Sequence, residues 1–392
     1  MRQACCIGTI VIAWASTGHA LALSFDFTYI DDASGTFASR GWLDANSLFQ
    51  RNIRAAADLW AARFDSDATI VVDIDPHSYV ARAGGTNTLG RYLYTNAAGK
   101  AVWEFGPLTR ILTGNNPGET FYGFDILLGF DAVFVENYYW FDPQPEFRTA
   151  AVPSNKGDFM SVVLHEMGHG FGMTGYRDFA TGQILGSTAT QFDDHSYFGG
   201  NGNPIADDGS RNPMFFQGET AASLYGEDLH LTHKPPGHPN YGQNFFHLST
   251  CTGDGLEGTL MNGCVLPNGA RLEITPFDLA VYADLGYPTV TPSADYNDDE
   301  NVDAADYVVW RKSLGQTGLG LAADGNLNNR IDEGDYSFWR SRFGENAGSG
   351  LGNALPNLLV APEPSSGLLL LLGMVGCRVR LRRLPKSLFG QH

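Results

Sequence analysis

Cysteine is scarce in this 392-residue chain: there are five, with Cys5 and Cys6 near the start and Cys377 near the end. A disulfide-dense scaffold is excluded. The body keeps only Cys251 and Cys264, which in an oxidising compartment would form one bridge closing a 14-residue loop, worth roughly 3 kcal/mol by loop entropy. Positive charge is scarce as well. Lys plus Arg number 25 against 43 Asp plus Glu, a net charge of −18, which repels phosphate backbones, excludes a general nucleic-acid binder and makes cations the favoured partners. Neither apolar run, 4–15 or 367–377, reaches the roughly 20 residues that a bilayer-crossing helix needs. What remains folds: 43% hydrophobic and 12% aromatic residues exclude an intrinsically disordered chain, and the length allows more than one domain.

The ends differ from the body. Residues 1–22 and 378–392 hold no acid but six basic residues, Arg2, Arg378, Arg380, Arg382, Arg383 and Lys386. Such ends around an acidic body suggest segments addressed to membrane machinery. Arg2, the apolar run and Ala20-Leu21-Ala22 follow the order of a secretory signal peptide over 1–22, cut after Ala22 or after Ala20. The chain is therefore expected to be exported, to the cell envelope or beyond it. At the other end, Pro362-Glu363-Pro364 precedes the 11-residue run 367–377 and an Arg-rich tail. Over 362–384 this resembles the PEP-CTERM sorting signal of bacterial envelope proteins, which implies sorting machinery at the membrane as a partner and at most a transient anchor.

A duplication lies before that tail. The segment 306–315 recurs at 335–344 with Asp-Tyr, Trp-Arg and Gly in register, at an offset of 29 residues. Upstream of each copy, acids and amides alternate: Asp295, Asn297, Asp299, Asn301, Asp303 and Asp306, then Asp324, Asn326, Asn328, Arg330, Asp332 and Asp335. Calcium takes about six to eight oxygens, which a loop of about 12 residues supplies from positions 1, 3, 5, 7, 9 and 12. The carbonyls of Asn301 and Arg330 would fill position 7. Glu300 and Asn329 stand at position 6, where glycine is usual; Asn tolerates positive φ better than Glu, so the first loop should bind calcium more weakly. Trp310 and Trp339 anchor the helix after each loop. The pair, 295–346, resembles a type I dockerin with EF-hand-type loops, which implies Ca2+ as cofactor and a cohesin-like partner. Residues 288–294 and 347–361 read as linkers around it.

Residues 158–172 read as a helix, with Asp158 as N-cap and Phe159, Val162, Val163 and Phe171 as apolar face. Inside it stands His165-Glu166-Met167-Gly168-His169, an HExxH pattern. Imidazoles four apart share one helix face and can grip one zinc ion. Glu166 beside them can take a water proton and pass it to a departing amine. A catalytic zinc wants a third protein ligand. Gly172 matches the glycine of an HExxHxxGxxH metzincin, but Gly175 stands where its third histidine would be.

Further on come His247, then Met261 within 258–263, then a final amphipathic helix over 274–286. This order resembles the leishmanolysin-like metzincins, in which a long insertion precedes the third histidine and a methionine turn follows. The likeness spans 45–287. It implies an α+β metalloprotease domain over 23–287, a mixed sheet with an active-site helix, in which His165, His169 and His247 hold Zn2+, Glu166 is general base and acid, Met261 lies under the metal, and the substrate is a protein or peptide. From the residues alone, His195, His230, His233, His238 and Glu227 stay rivals for the third position. The proline-containing segment 230–238 reads as an exposed loop, and His77 as a surface histidine. A Cys251–Cys264 bridge would stiffen the stretch between His247 and the turn.

Earlier, 49–64 suits a helix, 69–74 a strand and 126–134 another apolar element, the order of a metzincin upper subdomain. The run Tyr138-Tyr139-Trp140-Phe141 suits core packing first and a cleft lining second. Two other classes stay open: a non-catalytic calcium-binding envelope protein that keeps the helix as structure, and a polysaccharide-degrading enzyme carrying a dockerin. For the second, no spaced carboxylate pair can be assigned.

Overall fold

A computed structural model describes residues 23–76, 82–207, 210–290, 292–318 and 321–345, with backbone alone at 265–266 and 361–362. The signal-peptide segment 1–22, His77, most of the linker 347–361 and nearly all of the sorting segment 362–384 lie outside the described residues. The chain enters through β1 (Ser24–Tyr29), crosses over α1 (Leu48–Ala61) to β2 (Thr69–Asp75), and lays down β3 (Ala83–Asn87). Then follow the hairpin β4 (Leu89–Thr95) and β5 (Ala101–Phe105), the short helices α2 (Gly106–Thr113) and α3 (Pro117–Tyr122), and β6 (Ile126–Phe130). Helix α4 (Ala132–Tyr138) and the short pair β7 (Tyr139–Trp140) and β8 (Gly157–Asp158) lead into α5 (Phe159–Phe171). Beyond it lie β9 (Thr188–Thr190), α6 (Gln191–His195), β10 (Ser196–Phe198), β11 (Met214–Phe216), α7 (Glu219–Tyr225), β12 (Leu229–Leu231) and α8 (Pro276–Asp284).

The result is a mixed α and β fold with open sheets. The principal sheet has the order β1-β2-β6-β3, with β1, β2 and β6 parallel and β3 antiparallel at the edge. Helix α1 begins where Ser47 accepts from the Gln50 amide, and it buries Phe49, Ile53, Ala56 and Trp60. Burial of that face drives its packing on α5. The indole of Trp60 also donates to Leu164 O of α5 at 3.0 Å, so a polar atom inside the core is matched. The apolar stretch 126–134 divides in two, because the strand stops at Phe130 and Asp131 then caps α4 by accepting from Phe134 N at 2.8 Å. In the aromatic run, Tyr138 is exposed while Phe141 packs edge-on against Trp42, Phe49 and Phe159, which is core packing.

A second buried cluster, Ala294, Tyr296, Val302, Trp310, Ala323, Ile331 and Trp339, joins α9 (Ala304–Ser313) to α10 (Glu333–Ser341). The duplication is structural. Trp310 donates to Asp332 O at 2.8 Å, and Trp339 returns the bond to Asp303 O at 2.9 Å. Asp295 and Asp324 each accept amides four and five residues on, and Asp306 and Asp335 close each loop onto the amides of Asp303 and Asp332. Glu300 and Asn329 sit at φ 68° and 64°, so position 6 of both loops has the left-handed backbone that favours glycine.

This cluster is tied to the larger one. The start of the expected linker is paired: Val290 N donates to Arg63 O and Asp65 N to Pro288 O, both at 2.8 Å. Arg63, buried just beyond α1, donates to the carbonyls of Leu327 and Asn326 in the second loop, and Asn329 donates to Asp58 O at 3.1 Å. Burial lowers the Arg63 guanidinium to about 10. No helix among the described residues is long and apolar enough to cross a membrane.

Charge-assisted bonds of this kind contribute roughly 1.5–3 kcal/mol. Arg63→Ala should therefore uncouple the two clusters, giving two calorimetric transitions where the parent gives one; a single unshifted transition in the variant would refute the coupling.

Candidate metal centre

Helix α5 is buried along its whole length. Asp158 caps it by accepting from Ser161 N at 3.1 Å and Ser161 Oγ at 2.6 Å. Burial pushes this carboxyl up, while Arg148 and Arg271, 3.7 and 3.6 Å away, pull it down. The helix can lie so deep because its glycines let neighbours approach the backbone: Met261 and the Tyr282 hydroxyl abut Gly168, and Ile126 abuts Gly170. At Gly172 the chain turns with φ 138° against the Phe105 ring, a conformation in which a side chain would be strained.

That turn brings Met173 O to 2.7 Å from His169 Nδ1. The other two imidazoles are held the same way, His165 Nδ1 by Leu260 O at 2.7 Å and His247 Nδ1 by Gln243 O at 2.8 Å. A carbonyl only accepts, so all three rings carry a proton on Nδ1, and the neutral imidazole then has its lone pair at Nε2. Those lone pairs converge. Nε2 of His169 lies 3.0 Å from Nε2 of His165 and 3.0 Å from Nε2 of His247. Two unprotonated nitrogens repel at that distance, and a shared proton or a metal cation between them offsets the repulsion. Tetrahedral zinc, with bonds of about 2.0–2.1 Å, wants its ligand atoms about 3.3–3.4 Å apart, close to the 3.0 Å of the two pairs that involve His169. Among the described residues, this trio is the group of three or more His, Cys, Asp or Glu whose ligand atoms fall within 4.8 Å of one another. The donor set fits zinc.

His247 comes from a segment built under strain, with Phe245 at φ 77° and Ser249 at φ 78° on either side. Non-glycine residues there cost about 1–3 kcal/mol each and persist where surroundings dictate them. The surroundings here are specific: Thr232 exchanges backbone bonds with Phe245 and His247, Met261 O accepts from Leu248 N at 2.7 Å, and Cys251 is disulfide-bonded to Cys264. Met261 packs on the helix backbone at Gly168, beneath the ligand helix.

None of the rivals joins the trio. His195 ends α6 and contacts Gln217 O at 2.6 Å, while Glu227 and His238 are exposed. The segment 230–238 is not simply an exposed loop. His230 lies in β12, paired with Phe215 of β11, and His233 is half-buried between Asn212 O and the Arg211 guanidinium, where burial lowers its pKa to about 4. Strand pairing of the residues before Pro235 accounts for the difference. Gly175 cannot carry a ligand either, because a Cβ there would stand 2.3 Å from the buried Asp193 carboxylate. The calcium-loop carboxylates form no such convergent group; they accept backbone amides of their own loops instead.

Neighbours beyond the three histidines surround the centre. Glu166, next to His165 in the chain, is buried, and edge strand β3 lies against it so closely that a Cβ on Gly85 would fall 1.8 Å from Glu166 O. Asn87 of the same strand donates to His169 O at 3.1 Å. Asp278 of α8 accepts from the amides of Leu260 and Met261; burial pushes its carboxyl up, and donors from Thr275, Met261 and Leu260 pull it down. Asp278 also closes the capping box of α8 with Thr275. The chain matches no protein-family model, curated protein or solved structure in comparison.

Gly85→Ala must push β3 away from Glu166. It should lower stability by roughly 1–3 kcal/mol, the usual penalty of overpacking, measured by denaturant unfolding; an unchanged midpoint would show that strand and helix are not in contact.

Proposed function

We propose that the chain is an exported zinc endopeptidase carrying a calcium-binding, dockerin-like pair of loops. The observation that supports it is the convergence of three Nε2 lone pairs, each fixed by a carbonyl behind its ring. His165, His169 and His247 are the ligands. Zinc there supplies Lewis-acid polarisation of a peptide carbonyl and brings the pKa of water to about 7. Glu166, adjacent to the first ligand and shielded from solvent, accepts the proton of the attacking water and returns it to the departing amide nitrogen. Edge strand β3, against Glu166, holds an extended peptide by strand addition. His165 and His247 stack with an interplanar angle of 12° while His169 stands across both.

Purified protein should contain about one zinc and cleave a denatured protein substrate. Glu166→Ala should keep its zinc and lose cleavage by roughly 10²–10⁴-fold, the usual worth of a general acid–base. Undiminished cleavage would remove Glu166 from the reaction.

Asp295, Asn297, Asp299, Asn301, Asp303 and Asp306 are assigned to one calcium ion, and Asp324, Asn326, Asn328, Arg330 (through its carbonyl), Asp332 and Asp335 to another. Exposed Tyr307 and Val308 on α9 offer an apolar patch to a cohesin-like partner. Burial and the Asp335 charge raise Asp324 to about 7, and burial raises Asp335 to about 6. Carboxyls whose folded pKa lies above the unfolded value bind protons more tightly when folded, so stability falls as pH rises between the two values. In chelator, thermal stability should thus fall from about pH 4 to pH 7, and added calcium should restore it. Melting curves that ignore calcium at pH 7.5 would reject the loops as sites.

A further inference from the structure

The three carbonyls behind the imidazoles are not equivalent. Each belongs to a peptide whose N–H goes elsewhere. Behind His169, the Met173–Thr174 peptide donates through Thr174 N to Gly172 O at 2.7 Å; behind His247, the Gln243–Asn244 peptide donates through Asn244 N to Tyr241 O at 3.3 Å. Both acceptors are neutral. Behind His165, the Leu260–Met261 peptide donates through Met261 N to the Asp278 carboxylate at 3.0 Å. The carboxylate, the peptide and the imidazole lie in one line of hydrogen bonds: Asp278 Oδ1 accepts from Met261 N–H, and Leu260 C=O accepts from His165 Nδ1–H at 2.7 Å.

We propose that Asp278 is a positioning residue for the metal centre, acting on His165 through the single peptide group between Leu260 and Met261. The inference rests on the zinc reading above and deepens it. Asp278 is fully buried, and its other oxygen accepts from Leu260 N at 2.9 Å, Thr275 N at 2.8 Å and Thr275 Oγ1 at 2.7 Å. Donors converge on both oxygens, as an ionised carboxylate requires. Its charge polarises the peptide, strengthens the carbonyl as an acceptor and makes the His165 ring a better donor to a cation, because hydrogen bonds in series reinforce one another. The same turn reaches the distant ligand. Met261 O accepts from Leu248 N at 2.7 Å and Leu248 O from Gly263 N at 2.9 Å, one residue past His247. One side chain on the last helix of the larger cluster therefore fixes the joint between the helical ligands and the third.

The test uses the full chain, with zinc affinity read by chelator competition and ligand geometry by the visible spectrum of the cobalt(II)-loaded protein. Asp278→Asn keeps the volume and removes the charge. It should weaken zinc roughly 10–100-fold, the usual range for loss of an outer-shell carboxylate, and shift the cobalt bands. Asp284→Asn is the control on the same helix. Asp284 accepts the Thr220 and Ala221 amides at 2.8 and 2.9 Å and touches no ligand, so the change should lower stability and leave zinc affinity and the cobalt bands as they are. Asp278→Asn binding zinc as tightly as the parent overturns the relay and leaves the zinc reading standing. A parent chain that binds no zinc overturns both. Parent protein labelled with ¹⁵N-methionine gives a readout that needs no variant: the Met261 amide proton should move downfield on zinc loading, and a stationary resonance overturns the relay.

Discussion

Three imidazole nitrogens turned toward one another, with every ring proton pointing outward to a carbonyl, set the constraint that the rest of the chain satisfies. On the proposed reading a zinc ion offsets the repulsion among them, and the surrounding structure holds the rings in place. The cradle is correspondingly rigid. It consists of a helix buried on all sides, a strained segment pinned by a disulfide and by strand β12, and a turn held from α8. Such preorganisation is what a site needs if its geometry is not to loosen by an ångström.

The constraint extends outward along α1. Trp60 hands a hydrogen bond to the ligand helix at Leu164, and Arg63, three residues later, reaches into the second acidic loop. The end of one helix thus touches both the histidine-bearing helix and the loop proposed for calcium. Asp324, the first residue of that loop, contributes to the electrostatic surroundings of the Arg63 guanidinium. On the proposed reading, occupancy of that loop and firmness of the protease domain share one physical connection, and the duplicated segment is structural support as well as a docking module.

Much of this was legible where the signal is local. The ligand helix was bounded within a residue at each end because Asp158 is a strong cap and Gly172 a strong stop. The duplicated loops were plain because acids at alternate positions and tryptophans in register need no knowledge of the fold. His247 was reachable through its order relative to Met261, although 78 residues separate it from His169. What stayed hidden is non-local. Nothing near Gly85 announces that Glu166 will press on it, and nothing near Asp278 announces that its carboxylate will grip a turn 17 residues upstream. The stretch around His230 looked like a loop because Pro235 and Pro236 dominate its composition, whereas the strand pairing that orders it comes from Phe215.

X-ray absorption at the zinc edge of the purified, zinc-loaded full chain tests the central claim most directly. The account predicts a four-coordinate shell of nitrogen and oxygen at about 2.0–2.1 Å, with outer-shell scattering from three imidazoles. A six-coordinate oxygen shell without imidazole scattering, or a shell containing sulfur, would contradict it.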